Sequence, residues 1–289
     1  MRTEAMFYEK LENREVRCVL CPHRCRIGQD GRGICGVRKN IDGILYSLNY
    51  EEVSSIGVDP IEKKPLYRFH PGAGILSVGS VGCNLKCPFC QNHTIARVKP
   101  EEVHTYRRSS DELVAKAVSL KDRGSIGIAY TYNEPSVWYE FVYEVAKKAR
   151  EKGLLNVLVT NGYIEMEPLE RLLPYIDAMN IDLKAFNDRF YRELVKGGLE
   201  PVKAVIGRAS AACHVEVTTL VIPGWTDDPE EMDAMCRWLA SLSPDIPLHL
   251  SRYFPRYEMT DGSPTPLSSL SELKKIACRH LNHVYLGNV

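Results

Sequence analysis

Cys83, Cys87 and Cys90 stand in Gly82-Cys83-Asn84-Leu85-Lys86-Cys87-Pro88-Phe89-Cys90, a C-x3-C-x2-C run. Three thiolates on one short loop can grip three irons of a cubane [4Fe–4S] cluster, which ordinarily takes four cysteines. The absent fourth ligand leaves one iron open to a small chelating molecule. A reducing cluster with an open corner can bind and cleave S-adenosylmethionine (SAM). The rival reading is structural zinc with His93 as fourth ligand. Zinc sites usually show a C-x2–4-C pair and a second pair well downstream, and no such pair follows. Phe89, just before the third cysteine, suits a site where an adenine must pack.

A second thiol group lies upstream. Cys18-Val-Leu-Cys21-Pro-His-Arg-Cys25 is followed by Cys35, with Gly28, Gly31, Gly33 and Gly36 between and around them. Glycines there allow the tight turns that bring ligands round a metal. Zinc is the first reading for Cys18, Cys21, Cys25 and Cys35, because a closed four-thiolate site is structural; a second iron–sulfur cluster is the competitor. His23 reads as a local hydrogen-bonding residue. Seven of the ten cysteines fall in these two groups, a clustering that signals metal rather than disulfides. Cys213, Cys236 and Cys278 read as small core fillers.

The 289 residues suffice for one large domain with a small appendage. Lys+Arg and Asp+Glu are both 37, so no charge excess points to nucleic acid or an anionic membrane. No apolar run approaches a membrane span, and Arg2-Thr3-Glu4-Ala5 lacks a signal-peptide core. A soluble cytoplasmic protein is expected. The organisation read from the chain is a cysteine-rich metal module over 1–45, a connecting segment over 46–72 and a barrel core over 73–289.

Those thiols need a scaffold, and the pattern after residue 73 supplies one. Short apolar strands are expected at 74–79, 126–130, 156–160, 178–183, 214–222, 247–251 and 284–286. Helices are expected at 110–121, 135–152, 167–174, 229–242 and 270–280, with Ser109 or Ser110 capping the first and Pro135 opening the second. Alternating strand and helix with apolar strands means parallel strands buried on both faces. The fold class is α/β, a partial (β/α)6 TIM-like barrel with a small N-terminal cysteine-rich module. Chemistry in such barrels sits at the C-terminal ends of the strands.

Polar residues recur at those ends: Thr131-Tyr-Asn-Glu134-Pro135, Asn161-Gly162, Asp182 and Lys184, Pro223-Gly-Trp-Thr-Asp227, then His249, Ser251 and Arg252. Singly, each has an ordinary explanation: a turn at Asn161-Gly162, a satisfied pair at Asp182 and Lys184, a core histidine at His249. Together they suit SAM, whose amino and carboxylate groups would chelate the open iron. Glu134 would accept from the ammonium, Lys184 would pair with the carboxylate, Asn161 would meet the ribose, and Phe89 and the backbone near Tyr285 would contact adenine. Asp182 joins this cofactor-binding set. His249, Arg252, Asp227 and Trp225 are assigned to the substrate side, Trp225 with loop packing as its alternative. Lys63 and Lys64 read as solvated surface that could guide an anionic substrate or partner.

The chain resembles radical SAM enzymes in Cys83-x3-Cys87-x2-Cys90 with its aromatic Phe89. Val221-Ile-Pro-Gly-Trp-Thr-Asp-Asp228 and Ile181-Asp-Leu-Lys184 are similar to segments of the pyruvate formate-lyase activating enzymes, which act on glycyl radical enzymes. The narrower resemblance is to the AmmeMemoRadiSam system radical SAM enzymes, through the N-terminal cysteines, Gly33-Ile-Cys35-Gly36-Val-Arg38, Asp59-Pro-Ile-Glu-Lys-Lys-Pro-Leu66, Tyr130-Thr-Tyr-Asn-Glu-Pro135 and His249-Leu-Ser-Arg252. Thr131–Pro135 departs from the Gly-Gly-Glu form common in the superfamily, so the role of Glu134 follows from its position. Relatives of this branch typically continue beyond the point matching Val289 into a further cysteine-bearing tail.

The resemblance implies one [4Fe–4S] cluster, SAM, and cleavage to methionine and a 5′-deoxyadenosyl radical that abstracts hydrogen. It also implies an anaerobic activity and an electron donor such as flavodoxin or ferredoxin. The first functional expectation is an enzyme acting on a small molecule or protein beside Memo-like and Amme-like partners. The second is a glycyl-radical-enzyme activase, and the third a non-catalytic zinc-binding module.

Overall fold

The computed structural model describes residues 2–289; Met1, the first residue of the expected module, lies outside it. Its centre is an eight-stranded sheet: β1 (Ser55–Pro60), β2 (Gly74–Gly79), β3 (Ser125–Tyr130), β4 (Leu155–Thr160), β5 (Ala178–Asp182), β6 (His214–Val221), β7 (Leu248–Arg252) and β8 (Val284–Gly287). The strands lie in sequence order from one edge to the other. β2 to β8 are parallel, and β1 runs antiparallel against β2. The mixed α/β class and the parallel sheet are as expected from the sequence.

Besides the single turn His93–Ala96, six longer helices connect the parallel strands among the described residues: α1 (Ser110–Val118), α2 (Tyr139–Glu151), α3 (Met166–Leu172), α4 (Leu199–Ser210), α5 (Pro229–Leu242) and α6 (Leu267–Ala277). Six strand–helix units therefore precede the last strand. The ladder ends at β1 and β8, so the sheet stays open. Local sequence sets the helix starts. Ser109 accepts from the Glu112 amide and Glu112 reaches back, a capping box. Asp228 caps α5 with Pro229 in its first turn. Pro135 opens a 3-10 turn, Pro135–Trp138, ahead of α2.

Of the central strands and the longer helices, two escaped the sequence reading. α4 buries Leu199, Val202, Val205, Ile206 and Ala209, a helical stripe lying in the unread stretch between β5 and β6. β1 lies within the connecting segment 46–72. As an edge strand it leaves Ile56 and Val58 exposed, so its alternation does not mark an inward face. The chain from Ile61 to Phe69 then turns inside the sheet, where Ile61 and Leu66 pack with Ile75, Ala129, Val157 and Ala178 and half-buried Phe69 joins them. This segment fills the lower interior, against β2 to β5. Above it the inner face opens: Val159, Asp182, Thr218, Leu220, Ser251 and Tyr285 are only half-buried.

The N-terminal region forms two three-stranded sheets. Thr3–Glu4 and Arg38–Ile41 flank Ile44–Ser47, and Tyr8–Lys10 and Arg26–Ile27 flank Val16–Cys18. Strands of two to four residues hold little by themselves. A buried ion pair fastens them to the core: Arg38 Nη2 donates to both carboxylate oxygens of Glu140 on α2, at 3.0 and 2.8 Å. None of the ten cysteines is in a disulfide. Cys236 is buried and Cys213 half-buried, but Cys278 is exposed, which corrects its reading as core filler: it caps the C-terminus of α6.

Candidate active site at the strand ends

The cysteine loop follows β2 and meets the loops after β3, β4 and β5. Gly82 holds φ at +94°, and a Cβ there would lie 2.6 Å from Val37 and 2.8 Å from the Cys35 carbonyl. Only glycine allows so close an approach. Asn84 is fully buried; its Nδ2 donates to the Tyr163 carbonyl at 2.7 Å and its Oδ1 accepts from Asn161 Nδ2 at 2.9 Å. The same Asn161 nitrogen reaches Cys83 Sγ at 3.6 Å. Asn161, expected at a ribose, is thus engaged with the cysteine loop.

Glu134 is buried, and its carboxylate accepts from the Ser136 amide (3.0 Å), Thr160 Oγ1 (2.6 Å) and the Asn161 amide (2.8 Å). Burial raises its pKa against these hydrogen bonds. The side chain ties the ends of β3 and β4 together beside Cys83. At the end of β5, Lys184 Nζ donates to Asp182 Oδ2 at 2.8 Å. Burial opposes the lysine's charge, yet Asp182 and then Cys87 push its pKa well up. The ammonium is held charged next to the thiols.

Burial raises all three loop thiols, Cys87 to about 11. Lys184 acts in the opposite sense on each, and Arg97 does so on Cys87 and Cys90. Buried thiolates need such compensation. Phe89 packs near Phe190, ring centroids 6.1 Å apart. His93, weighed as a fourth ligand, points Nδ1 at the Cys90 carbonyl at 3.1 Å and stacks on Tyr257.

Among the described residues, no three His, Cys, Asp or Glu side chains are arranged so as to hold a metal ion as they stand. That holds for the loop thiols and for the N-terminal four alike. The donor set nevertheless fits a cluster: three thiols of one loop, two cations beside them, and an open strand-end face above.

The sheet register aligns several expected residues. Asp182, Thr218, His249 and Tyr285 are lateral neighbours across β5 to β8. Tyr285 offers more than backbone: its ring stacks on His249 at 5.3 Å, and Tyr67 packs edge-on to His249 at 4.8 Å. His249 Nε2 lies 2.6 Å from Glu216 Oε2. Arg252 and Asp227 stand apart from this row. Arg252 Nε donates to the Thr265 carbonyl and its guanidinium lies over Phe254, while Asp227 accepts from the Gly224 amide within its own turn. Trp225 lies under Arg189 and near Phe190.

Sequence reasoning missed Glu216. It is fully buried and accepts from His214 (2.9 Å), His249 and the amides of Tyr67 (3.0 Å) and Arg68 (2.7 Å). Burial alone would raise its pKa; these hydrogen bonds outweigh burial and hold the carboxyl at about 2. A carboxylate inside an apolar strand was the signal that could have found it. Lys64 is a correction: it is not solvated but 3% exposed. Its Nζ donates to Asp59 Oδ2 at 2.8 Å and sits over the Tyr132 ring. The Tyr132 hydroxyl also donates to Asp59, at 2.9 Å. Burial would raise the Asp59 pKa, but Lys64 and Tyr132 bring it to about 2. Tyr132 itself holds φ at +72°, an outlier for a bulky residue of the kind that clusters at functional sites.

This site and fold define an enzyme class. The radical SAM superfamily model matches residues 77–238, and the chain belongs to that superfamily. Over 289 residues it is 43% identical to an uncharacterised protein of Methanocaldococcus jannaschii, covering 99% of this chain and 85% of that protein. It is 26% identical over 155 residues to the pyruvate formate-lyase 1-activating enzyme of Escherichia coli, covering 52% of this chain and 61% of that enzyme. The crystal structure of a radical SAM methyltransferase from Sphaerobacter thermophilus shares the fold, with TM-score 0.57 and 18% identity over 75% of this chain and 67% of that one. The chain is an enzyme, so the expectation of a non-catalytic zinc module is set aside. No helix among the described residues is long and apolar enough to cross a membrane.

Proposed function

We propose that the chain binds a [4Fe–4S] cluster through Cys83, Cys87 and Cys90, cleaves SAM reductively, and abstracts hydrogen from a substrate held over the inner face of the sheet. When bound, the cluster would supply one electron to the sulfonium, and the adenosyl fragment would carry the radical. The protein's part is binding, orientation and exclusion of water. Lys184, kept charged by Asp182, would pair with the SAM carboxylate. Glu134 would face the ammonium with the one acceptor position its three hydrogen bonds leave on Oε2. Asn161 would hold the cysteine loop against the end of β4. Phe89 and Tyr285 would border the adenine. Asp182, Thr218, His249 and Tyr285 would line the substrate side, with Arg252 and Asp227 at its rim.

One observation carries the reading: a three-cysteine loop at the C-terminal end of β2, inside the stretch that matches the superfamily. The organisation proposed is a metal module over 1–45, a connecting segment over 46–72 that adds β1, and a catalytic core over 73–289. The test is anaerobic reconstitution with iron and sulfide, then SAM and dithionite, with 5′-deoxyadenosine read by chromatography. Wild type should form it and a Cys83→Ala/Cys87→Ala/Cys90→Ala variant should not. Wild-type protein that takes up iron but leaves SAM intact overturns the proposal.

The identity with the Escherichia coli activating enzyme favours a second, narrower reading, in which the substrate is a glycine of a partner protein and the reductant a flavodoxin or ferredoxin. A glycyl doublet in the electron paramagnetic resonance (EPR) spectrum of such a partner would establish it. Loss of hydrogen from a small molecule instead would favour a metabolite substrate.

A further inference from the structure

Cys18, Cys21 and Cys35 are buried and Cys25 is half-buried, and a Cβ on Gly33 would lie 3.8 Å from both the Cys25 and the Cys35 sulfur. The four thiols act electrostatically on one another. Beside them stands Arg38, 1% exposed. Its Nη2 is spent on Glu140, while Nε and Nη1 are buried without a hydrogen-bond partner. After Glu140, the groups that act on its charge are Cys18 and Cys35. Orphaned N–H donors on a buried cation are costly unless something accepts from them. The sulfurs of an anionic thiolate centre would.

The Cys83–Cys90 loop shows the same device. Arg97 donates through Nη1 to the Leu85 carbonyl at 3.2 Å and acts on Cys87 and Cys90, and its Nε too is buried without a partner. Hydrogen bonds to cluster sulfurs are among the means by which proteins tune iron–sulfur potentials.

The two thiol groups also touch. His23, between Cys21 and Cys25, donates Nε2 to the Asn84 carbonyl at 2.8 Å. The Cys35 carbonyl lies 2.8 Å from where a Cβ on Gly82 would stand, and the Leu20 carbonyl accepts from Glu165 N in the loop after β4 at 3.0 Å. The Lys86 ammonium acts on Cys83 in one group and on Cys35 and Cys25 in the other. The module is thus seated against the loop that would hold the proposed SAM-cleaving cluster, where a second iron–sulfur centre could exchange electrons with it and a redox-inert zinc could not.

We infer that Cys18, Cys21, Cys25 and Cys35 hold a second iron–sulfur cluster, with Arg38 as hydrogen-bond donor to its sulfurs, seated directly against the Cys83–Cys90 loop. Four cysteine ligands close this centre, so it has no open iron for SAM. The inference goes beyond the proposed reaction and stands or falls separately from it.

The test is full-length protein reconstituted anaerobically with iron, sulfide and equimolar zinc, then analysed for metals and by EPR after dithionite reduction. Wild type should carry about eight irons, two cubanes' worth, and a spectrum broadened by coupling between adjacent reduced centres. The Cys83→Ala/Cys87→Ala/Cys90→Ala variant, which leaves the module untouched, should keep about four irons and an uncoupled signal that SAM does not alter. A Cys18→Ser/Cys21→Ser variant, and separately Cys25→Ser at a half-buried position, should keep about four irons and a signal that SAM shifts. About four irons with one zinc in wild type, or an iron-free triple variant that remains folded by circular dichroism, overturns the inference. Absence of any SAM-induced shift in the module variants overturns the proposed SAM reaction and leaves the iron count of the module standing.

Discussion

Arg38 and Glu216 are both buried charges, yet they are satisfied to different degrees. Glu216 accepts from two imidazoles and two backbone amides, so both its oxygens are occupied. Arg38 has one nitrogen engaged and two without partners. A charge with every partner present is architecture: Glu216 fastens the Tyr67–Arg68 turn to β6 and orients His249. A charge with donors left over, lying beside thiols, is a place where a ligand completes the structure. The contrast separates a charge that holds the interior of the sheet together from one whose spare donors would serve the proposed second cluster.

The largest expected effect breaks the Arg38 side. Arg38→Met strands the Glu140 carboxylate in the core and should cost about 3–5 kcal/mol, read as a lowered urea midpoint. The cost should grow in iron-loaded protein if Arg38 also serves the module's sulfurs. An equal loss with and without iron would reduce Arg38 to an ion-pair role.

Next comes the Glu216 side. Its folded pKa of about 2 lies below the ordinary 4.5. A depressed carboxyl contributes stability that is present above the unfolded pKa and lost as pH falls toward the folded one. Wild type should therefore lose on the order of 3 kcal/mol between about pH 5 and pH 2 through this group. Glu216→Gln should be less stable at neutral pH and show a flatter acid limb in denaturant titrations. An unchanged acid limb would mean that Glu216 is not the group responsible.

A smaller effect is expected at Asp59, whose pKa is also about 2. Asp59→Asn removes the charge that compensates buried Lys64 and should cost about 1–3 kcal/mol. A second change, Lys64→Met, should recover part of that loss, because it removes the stranded ammonium. The smallest is a control away from both charges. Ser109→Ala deletes the α1 cap and should cost about 1 kcal/mol with no change in metal content.

Much of the site could be read along the chain because its chemistry is local. Cys83, Cys87 and Cys90 lie within one loop, and Asp182 and Lys184 share one strand end, so spacing alone made them candidates. Strand periodicity then placed β2 to β8 correctly, since apolar strands buried on both faces look alike in any sequence context. Lys64 was misread because two lysines after a glutamate look solvated; only the return of that segment beneath Tyr132 buries the second. Glu216 was passed over because three of its four partners, Tyr67, Arg68 and His249, lie 33 to 149 positions away. β1 was missed because an edge strand need not hide its side chains.

By itself the amino-acid sequence determined the three-thiol loop, the alternation of strand and helix, and the superfamily these define, since each is a short-range pattern of residue types. Only the tertiary structure decided which charges are compensated and by what: Lys64 by Asp59, Glu216 by two histidines, and Arg38 only in part. It also decided that the four N-terminal cysteines lie against the Cys83 loop. Burial and partner choice depend on which distant segments the open sheet brings into contact, and no local pattern encodes them.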